Sequence, residues 1–182
     1  MKYLPLVFTL CLILQGCTVF GPKTDDYGKR TFGTRLDDIR TQSLAKRNIR
    51  AADAELDKAH LDVTSFNGTM IITGQVASEA LVNTASRAVE GMRNVKQVHN
   101  ELEVAGPTSM LVRTSDNWLT TKIKSSMMVS SETDANRIKV VTENGVVYLL
   151  GLLTRAEAEA AVRVTRKTFG VQKIVKVFEY IN

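Results

Sequence analysis

The sequence is poor in the residues that hold a fold by covalent or metal bonds, and it lacks long apolar runs. Among 182 residues there are two cysteines, two histidines, three prolines and one tryptophan. No apolar run reaches the roughly 20 residues that a membrane-spanning helix needs. The histidines, His60 and His99, lie far apart without cysteine partners, which argues against a metal site. A glycine-rich phosphate loop is also missing. We therefore expect no cofactor, no metal and no enzymatic activity.

The first 17 residues are organised like a bacterial export signal. Lys2 supplies a positive charge, and Leu4 to Leu14 form an apolar segment of the length found in secretory signals. The tetrapeptide Leu-Gln-Gly-Cys ending at Cys17 resembles a lipobox, where a lipoprotein precursor is cleaved and its cysteine is acylated through a thioether. Residue 18 is threonine rather than aspartate, which in such lipoproteins favours sorting to the outer membrane. The sequence thus predicts a lipid-anchored protein that faces the periplasm.

Charge and cysteine usage agree with this location. Cys11 would be removed with the signal, so the mature chain would keep only the acylated Cys17 and could form no intrachain disulfide. The formal net charge of +5 favours anionic partners. Because the chain is exported, we expect those partners to be anionic lipids or acidic proteins and not nucleic acid.

Beyond residue 34 the chain contains an internal repeat. Asn67-Gly68 and Asn144-Gly145 lie 77 residues apart, and Gly74 and Gly151 follow at the same spacing. Asn-Gly between runs of β-branched residues is a strong hairpin signal, since both turn residues need positive φ. A helix follows each hairpin, capped by Ser78 in the first copy and by the capping-box sequence Thr154–Glu157 in the second. Its buried stripe in the second copy is predicted to be Ala158, Ala161, Val162, Thr165 and Phe169.

Each copy therefore predicts an α+β unit of order α-β-β-α-β, with a small three-stranded mixed sheet and two helices on one face. Right-handed crossover makes the last strand parallel to the second. Additional helices are expected at about Leu36 to Ala54 and Asp116 to Val129. The predicted division of the chain is a signal peptide at 1–16, a flexible tether at 17–34, a first unit at 35–104, a linker at 105–113 and a second unit at 114–182.

These features resemble two tandem BON domains. The most specific stretches are Asn117 to Lys122 and Val140 to Val146, together with Gly151-Leu152. A lipobox ahead of two such units is similar to the dual BON-domain lipoproteins of the Gram-negative outer membrane. The resemblance implies binding of anionic, phosphatidylglycerol-like phospholipid through the first helix of the second unit. It also implies support of envelope integrity at division sites, through outer-membrane protein assembly or amidase activation.

The helix from about Asp116 can also be interpreted from its spacing. With Ser115 or Asp116 as cap and about 100° per residue, Leu119, Ile123 and Met127 should pack on the sheet. Trp118 should point outward beside Lys122, an arrangement that suits the lipid head-group boundary. The predicted lipid-contacting residues of the helix are Trp118, Leu119, Thr121, Lys122, Ser125 and Val129.

Two alternatives remain open at this stage. Trp118 could pack against the first unit or the linker instead of lipid. The same surface could also dock a periplasmic or outer-membrane protein, which would make the chain an interaction adaptor. Exposure of Trp118 separates the first alternative from lipid contact.

Overall fold

The computed structural model describes residues 28–182. The predicted signal peptide, Cys17 and most of the predicted tether lie outside these residues. Within this part of the chain, no helix is long and apolar enough to cross a membrane. The helices and strands, in chain order, are α1 (Phe32–Ala52), α2 (Ala54–Lys58), β1 (His60–Phe66), β2 (Thr69–Val76), α3 (Glu79–Val89), β3 (Gln97–Val104), α4 (Met110–Val129), β4 (Ile138–Glu143), β5 (Val146–Leu153), α5 (Arg155–Arg166) and β6 (Lys173–Tyr180).

The strands form two separate three-stranded mixed sheets of orders β1-β2-β3 and β4-β5-β6. In each sheet the first two strands are antiparallel, and the third is parallel to the middle strand. The α+β fold class with two similar units is therefore confirmed, apart from the additional short helix α2.

The hairpins turn at the predicted Asn-Gly pairs. Asn67 and Gly68 have φ of 53° and 83°, and Asn144 and Gly145 have 49° and 75°. Positive φ at both central residues is what a type I′ turn requires. Gly74 is needed for a different reason, because a Cβ there would lie 2.1 Å from the carbonyl oxygen of His60.

Each sheet packs its helices on one face. In the first unit α1, α2 and α3 cover the sheet through a cluster that includes Ile49, Leu56 and Ala85. In the second unit α4 and α5 cover the sheet through Leu119, Ile123 and Ala161, among others. Within residues 28–182, the clustered core residues all lie between Ala45 and Ile181. A chain that begins at residue 18 keeps all of these residues.

The uncovered faces of the two sheets pack against each other. Phe66 and Ile71 from the first unit and Tyr148 and Leu150 from the second unit are buried in one shared cluster. Hydrogen bonds at its margins include Gln75 Nε2 to Glu143 Oε1 at 2.7 Å and Asn67 Nδ2 to Glu179 Oε2 at 2.8 Å. Because of this sheet-to-sheet contact, Phe66 and Tyr148 are almost inaccessible to solvent.

Two helices begin earlier in the chain than the sequence predicted. The helix α1 begins at Phe32, within the predicted tether, because the hydroxyl of Thr31 accepts a hydrogen bond from the amide of Thr34. The helix α4 begins at Met110, within the predicted linker, because the hydroxyl of Ser109 caps the amide of Val112. Neither Ser115 nor Asp116 is the cap that the spacing suggested.

The predicted burial of Phe169 was wrong. The helix α5 keeps its predicted capping box at Thr154, but it ends at Arg166. Phe169 therefore lies in the following turn, where 86% of its surface is exposed. The final strands of the two units begin at Gln97 and Lys173.

Candidate functional site

The helix α4 is fixed to its unit by a buried carboxylate. Asp116 is 7% exposed and accepts hydrogen bonds from the backbone amides of Asn144, at 2.8 Å, and Gly145, at 2.9 Å. It thereby ties the helix to the β4–β5 turn. In the first unit Asp38 accepts from the amides of Asn67 and Gly68 in the same way. From the sequence, Asp116 was expected only as a possible cap, and its bond to the turn was not predicted.

The inner face of α4 is the predicted apolar stripe. Leu119, Ile123 and Met127 are at most 3% exposed and belong to the core of the second unit. This packing sets the rotation of the helix, because it determines which residues face outward at 3.6 residues per turn.

The outer face of α4 presents the only tryptophan of the sequence. Trp118 is 58% exposed, as its helical position predicted. The ammonium of Lys122 lies 4.7 Å from the centre of the indole ring, within cation–π distance. One apolar ring and one positive charge are thus held together on a solvent-facing helix surface.

The exposed apolar surface continues along the full length of α4. At about 100° per residue, Leu111 and Val129 both lie within about 20° of Trp118 around the helix axis. Leu111 is 80% exposed and Val129 is 87% exposed. Met110 and Met128 flank this face and are also exposed. We call the surface formed by Met110, Leu111, Trp118, Lys122, Met128 and Val129 the outer face of α4.

Phe169 adds an exposed aromatic side chain beside this helix. Its neighbour Gly170 lies against α4, since a Cβ at that glycine would be 3.7 Å from Cδ1 of Leu119. The turn that carries Phe169 therefore lies alongside the part of α4 that carries Trp118.

Five of the six predicted helix residues lie on the outward side. Thr121, Ser125 and Val129 are exposed, as is Trp118, and Lys122 is partly exposed. Leu119 is the exception, because its side chain is 3% exposed and packs in the core. Met110 and Leu111 were missed, although Ser109, directly before this apolar pair, was a usable cap signal.

The first unit does not repeat this surface. Aligning Asp38 with Asp116 places Arg40 at the position of Trp118 and Leu44 at that of Lys122. The paired indole and ammonium therefore occur only in the second unit.

No metal centre accompanies the helix. Residues 28–182 contain no group of three or more His, Cys, Asp or Glu side chains that could hold a metal ion. His60 lies 3.7 Å from a carboxylate oxygen of Glu143 at the contact between the units. His99 lies on β3, away from α4.

Comparison with known protein families decides the classification. The family model described as BON domain matches residues 37–106 and residues 115–182. The chain belongs to the BON-domain family. Its two units are a first and a second BON domain, and α4 is the first helix of the second.

Curated relatives match this chain over most of their length. The outer membrane lipoprotein DolP of Haemophilus influenzae is 35% identical over 192 residues, covering 100% of this chain and 97% of the relative. A 21 kDa hemolysin of Actinobacillus pleuropneumoniae is 33% identical, covering 89% and 84%. The osmotically-inducible protein Y of Escherichia coli is 23% identical, covering 85% and 77%. The chain is a dual BON-domain lipoprotein of the outer membrane, lipid-anchored and facing the periplasm.

Proposed function

We propose that this lipoprotein binds anionic phospholipid through the outer face of α4 and supports outer-membrane integrity at cell-division sites. It acts as a binding protein and not as an enzyme. The observation that carries the proposal is Trp118, 58% exposed on a rigid helix with Lys122 over its ring.

The chemistry of this pair suits the surface of an anionic bilayer. Indole rings favour the boundary between head groups and hydrocarbon. A lysine near an anionic surface contributes about 1 kcal/mol. Leu111 and Val129, at the two ends of the face, add apolar area that water would otherwise cover, at roughly 25 cal/mol per Å².

The predicted lipid anchor makes a weak helix–lipid contact sufficient. An anchored domain meets the membrane at an effective concentration on the order of mM, set by the length of its tether. The acyl chains would supply attachment, while α4 would supply recognition of the head-group charge. This division of roles explains why one exposed helix, without a deep pocket, is enough.

The test is an NMR titration of residues 18–182 with vesicles or micelles of phosphatidylglycerol or of phosphatidylcholine. We expect shifts and broadening confined to α4 and the neighbouring Phe169 turn, with phosphatidylglycerol only. Trp118→Ala should weaken binding by about tenfold or more, since burial of a large aromatic side chain contributes about 1.5–3 kcal/mol.

The matched control is Phe32→Ala, which removes an exposed aromatic residue from the first helix of the first BON domain. This variant should bind as the wild type does. An absence of shifts with both lipids would overturn the proposal and favour an interaction adaptor. Equal weakening by both variants would contradict the assignment of binding to α4.

A further inference from the structure

An open pocket of about 310 Å³ lies where the two BON domains meet. It is lined by α1 of the first domain and by α4 and β4 of the second. The polar residues that matter here are Arg30, Arg35, Asp38, Lys124, Asn136 and Lys139. Four of these six carry a positive charge and one carries a negative charge.

The single carboxylate is already used within the protein. Asp38 pairs with Arg30 at 2.7 Å and also accepts hydrogen bonds from Ser65 and from the amides of Asn67 and Gly68. Arg30 is held further by its contact with the ring of Phe66, 3.8 Å from the ring centre. Among residues 28–182, no carboxylate forms an ion pair with Arg35, Lys124 or Lys139.

Lys124 is held in place at the inner end of this group. Its ammonium donates to the carbonyl oxygens of Ala135, at 3.0 Å, and Ile138, at 2.9 Å. Burial lowers the pKa of Lys124, and the nearby charges of Lys139 and Arg30 lower it further, more strongly than Asp134 raises it. Positive charges from both domains thus line one pocket, and Asp38, the only carboxylate among the described residues that line it, is paired with Arg30.

We propose that this pocket binds a phosphate group, as the free anion or in a phospholipid head group. Guanidinium and ammonium donors are the side chains that proteins use for phosphate, the first in a planar fork and the second as a point charge. A phosphate would offset the repulsion between Lys124 and Lys139, and the side chains of Arg35 and Asn136 offer further donors.

The site is distinct from the outer face of α4. Lys124 follows Trp118 by six residues, which places it about 120° away around the helix axis. The inference therefore does not depend on the proposed membrane contact, and the two can fail separately.

The test uses residues 18–182, titrated at constant ionic strength with inorganic phosphate and separately with glycerophosphoglycerol, the head-group diester of phosphatidylglycerol. We expect saturable NMR shifts at Arg35, Asn136 and Lys139. The double variant Arg35→Gln/Lys139→Gln should raise the Kd by about tenfold or more, since hydrogen bonds to charged groups are lost.

The matched control is Arg47→Gln/Lys173→Gln. It removes an exposed arginine of α1 and an exposed strand lysine, so the change in net charge is the same. This control should leave the Kd unchanged, and Trp118→Ala should do so as well. If the shifts saturate with inorganic phosphate but not with the diester, the ligand is the free anion. If they saturate with the diester, the ligand is the phospholipid head group. No saturable shift with either probe, or an equal effect of both double variants, would overturn the inference.

Discussion

At the scale of single residues, Asp38 and Asp116 connect the first helix of each BON domain to its hairpin turn. Each carboxylate accepts hydrogen bonds from the backbone amides of an Asn-Gly pair. The turn needs such a partner, because buried backbone amides without an acceptor are costly. The aspartates therefore hold the helix and the sheet in a fixed relation.

Asp116→Ala should destabilise the protein by about 2–5 kcal/mol, because two amides lose their charged acceptor. The loss should appear as a lower urea midpoint and as faster hydrogen exchange at Asn144 and Gly145. Asp37→Ala removes an exposed aspartate from α1 and should change stability by less than about 0.5 kcal/mol. If Asp116→Ala lowered the free energy of unfolding as little as this control does, the hydrogen bonds between Asp116 and the turn would not contribute to stability.

At the scale of the helix, the outer face of α4 is longer than the sequence predicted. The additional helical residues from Met110 to Ser115 bring Leu111 into line with Trp118. A membrane surface would contact the whole face at once. The ends of the helix should therefore contribute to binding as well as its centre.

Leu111→Ser should weaken binding to phosphatidylglycerol vesicles by about tenfold, because a mostly exposed leucine would lose its contact with the bilayer. Vesicle co-sedimentation measures this directly. Leu44→Ser, on the corresponding helix of the first domain, provides the control. Wild-type binding by Leu111→Ser would restrict the contact to the central turns of α4.

Local sequence patterns predicted the helices and hairpins of this protein better than they predicted where each element begins and ends or which elements touch. Asn67-Gly68 and Asn144-Gly145 identified both hairpins because the turn chemistry is local. The inward stripe and the outward Trp118 followed from helical period alone. Ser109 and Thr31 were passed over as caps, since the polar segments before them suggested flexible chain.

Contacts between distant elements could not be predicted in this way. Asp116 contacts the turn at Asn144 only because α4 packs over the sheet, and no local sequence pattern predicts this packing. The pocket containing Arg35 and Lys139 depends on how the two domains pack. Phe169 fitted a buried helical stripe, but the helix ends before reaching it.

At the scale of the whole molecule, the two sheets share one hydrophobic cluster. Each BON domain has about 70 residues, a size at which a single core gives limited stability. Tyr148 lies in the shared cluster, where burial and the carboxylates of Glu101, Glu103 and Glu143 raise its pKa above the ordinary value.

The two domains should consequently unfold as one cooperative unit. Urea unfolding followed by Trp118 fluorescence reports the second domain, and NMR signals of Ile72 report the first. We expect coincident transitions, and Leu150→Ala should shift both by the same amount, since it opens a cavity in the shared cluster at about 2–5 kcal/mol. Separate midpoints for the two probes would show that the domains are energetically independent.

Lipid contact by α4 can be tested most directly with the single tryptophan of the sequence as the probe. Trp118 emission is recorded from residues 18–182 with vesicles of phosphatidylglycerol, of phosphatidylcholine, and of phosphatidylglycerol with brominated acyl chains. We expect a blue shift with phosphatidylglycerol but not with phosphatidylcholine, and quenching by the brominated chains, because the indole would enter the head-group boundary. Unchanged emission with all three vesicles would contradict lipid contact by α4.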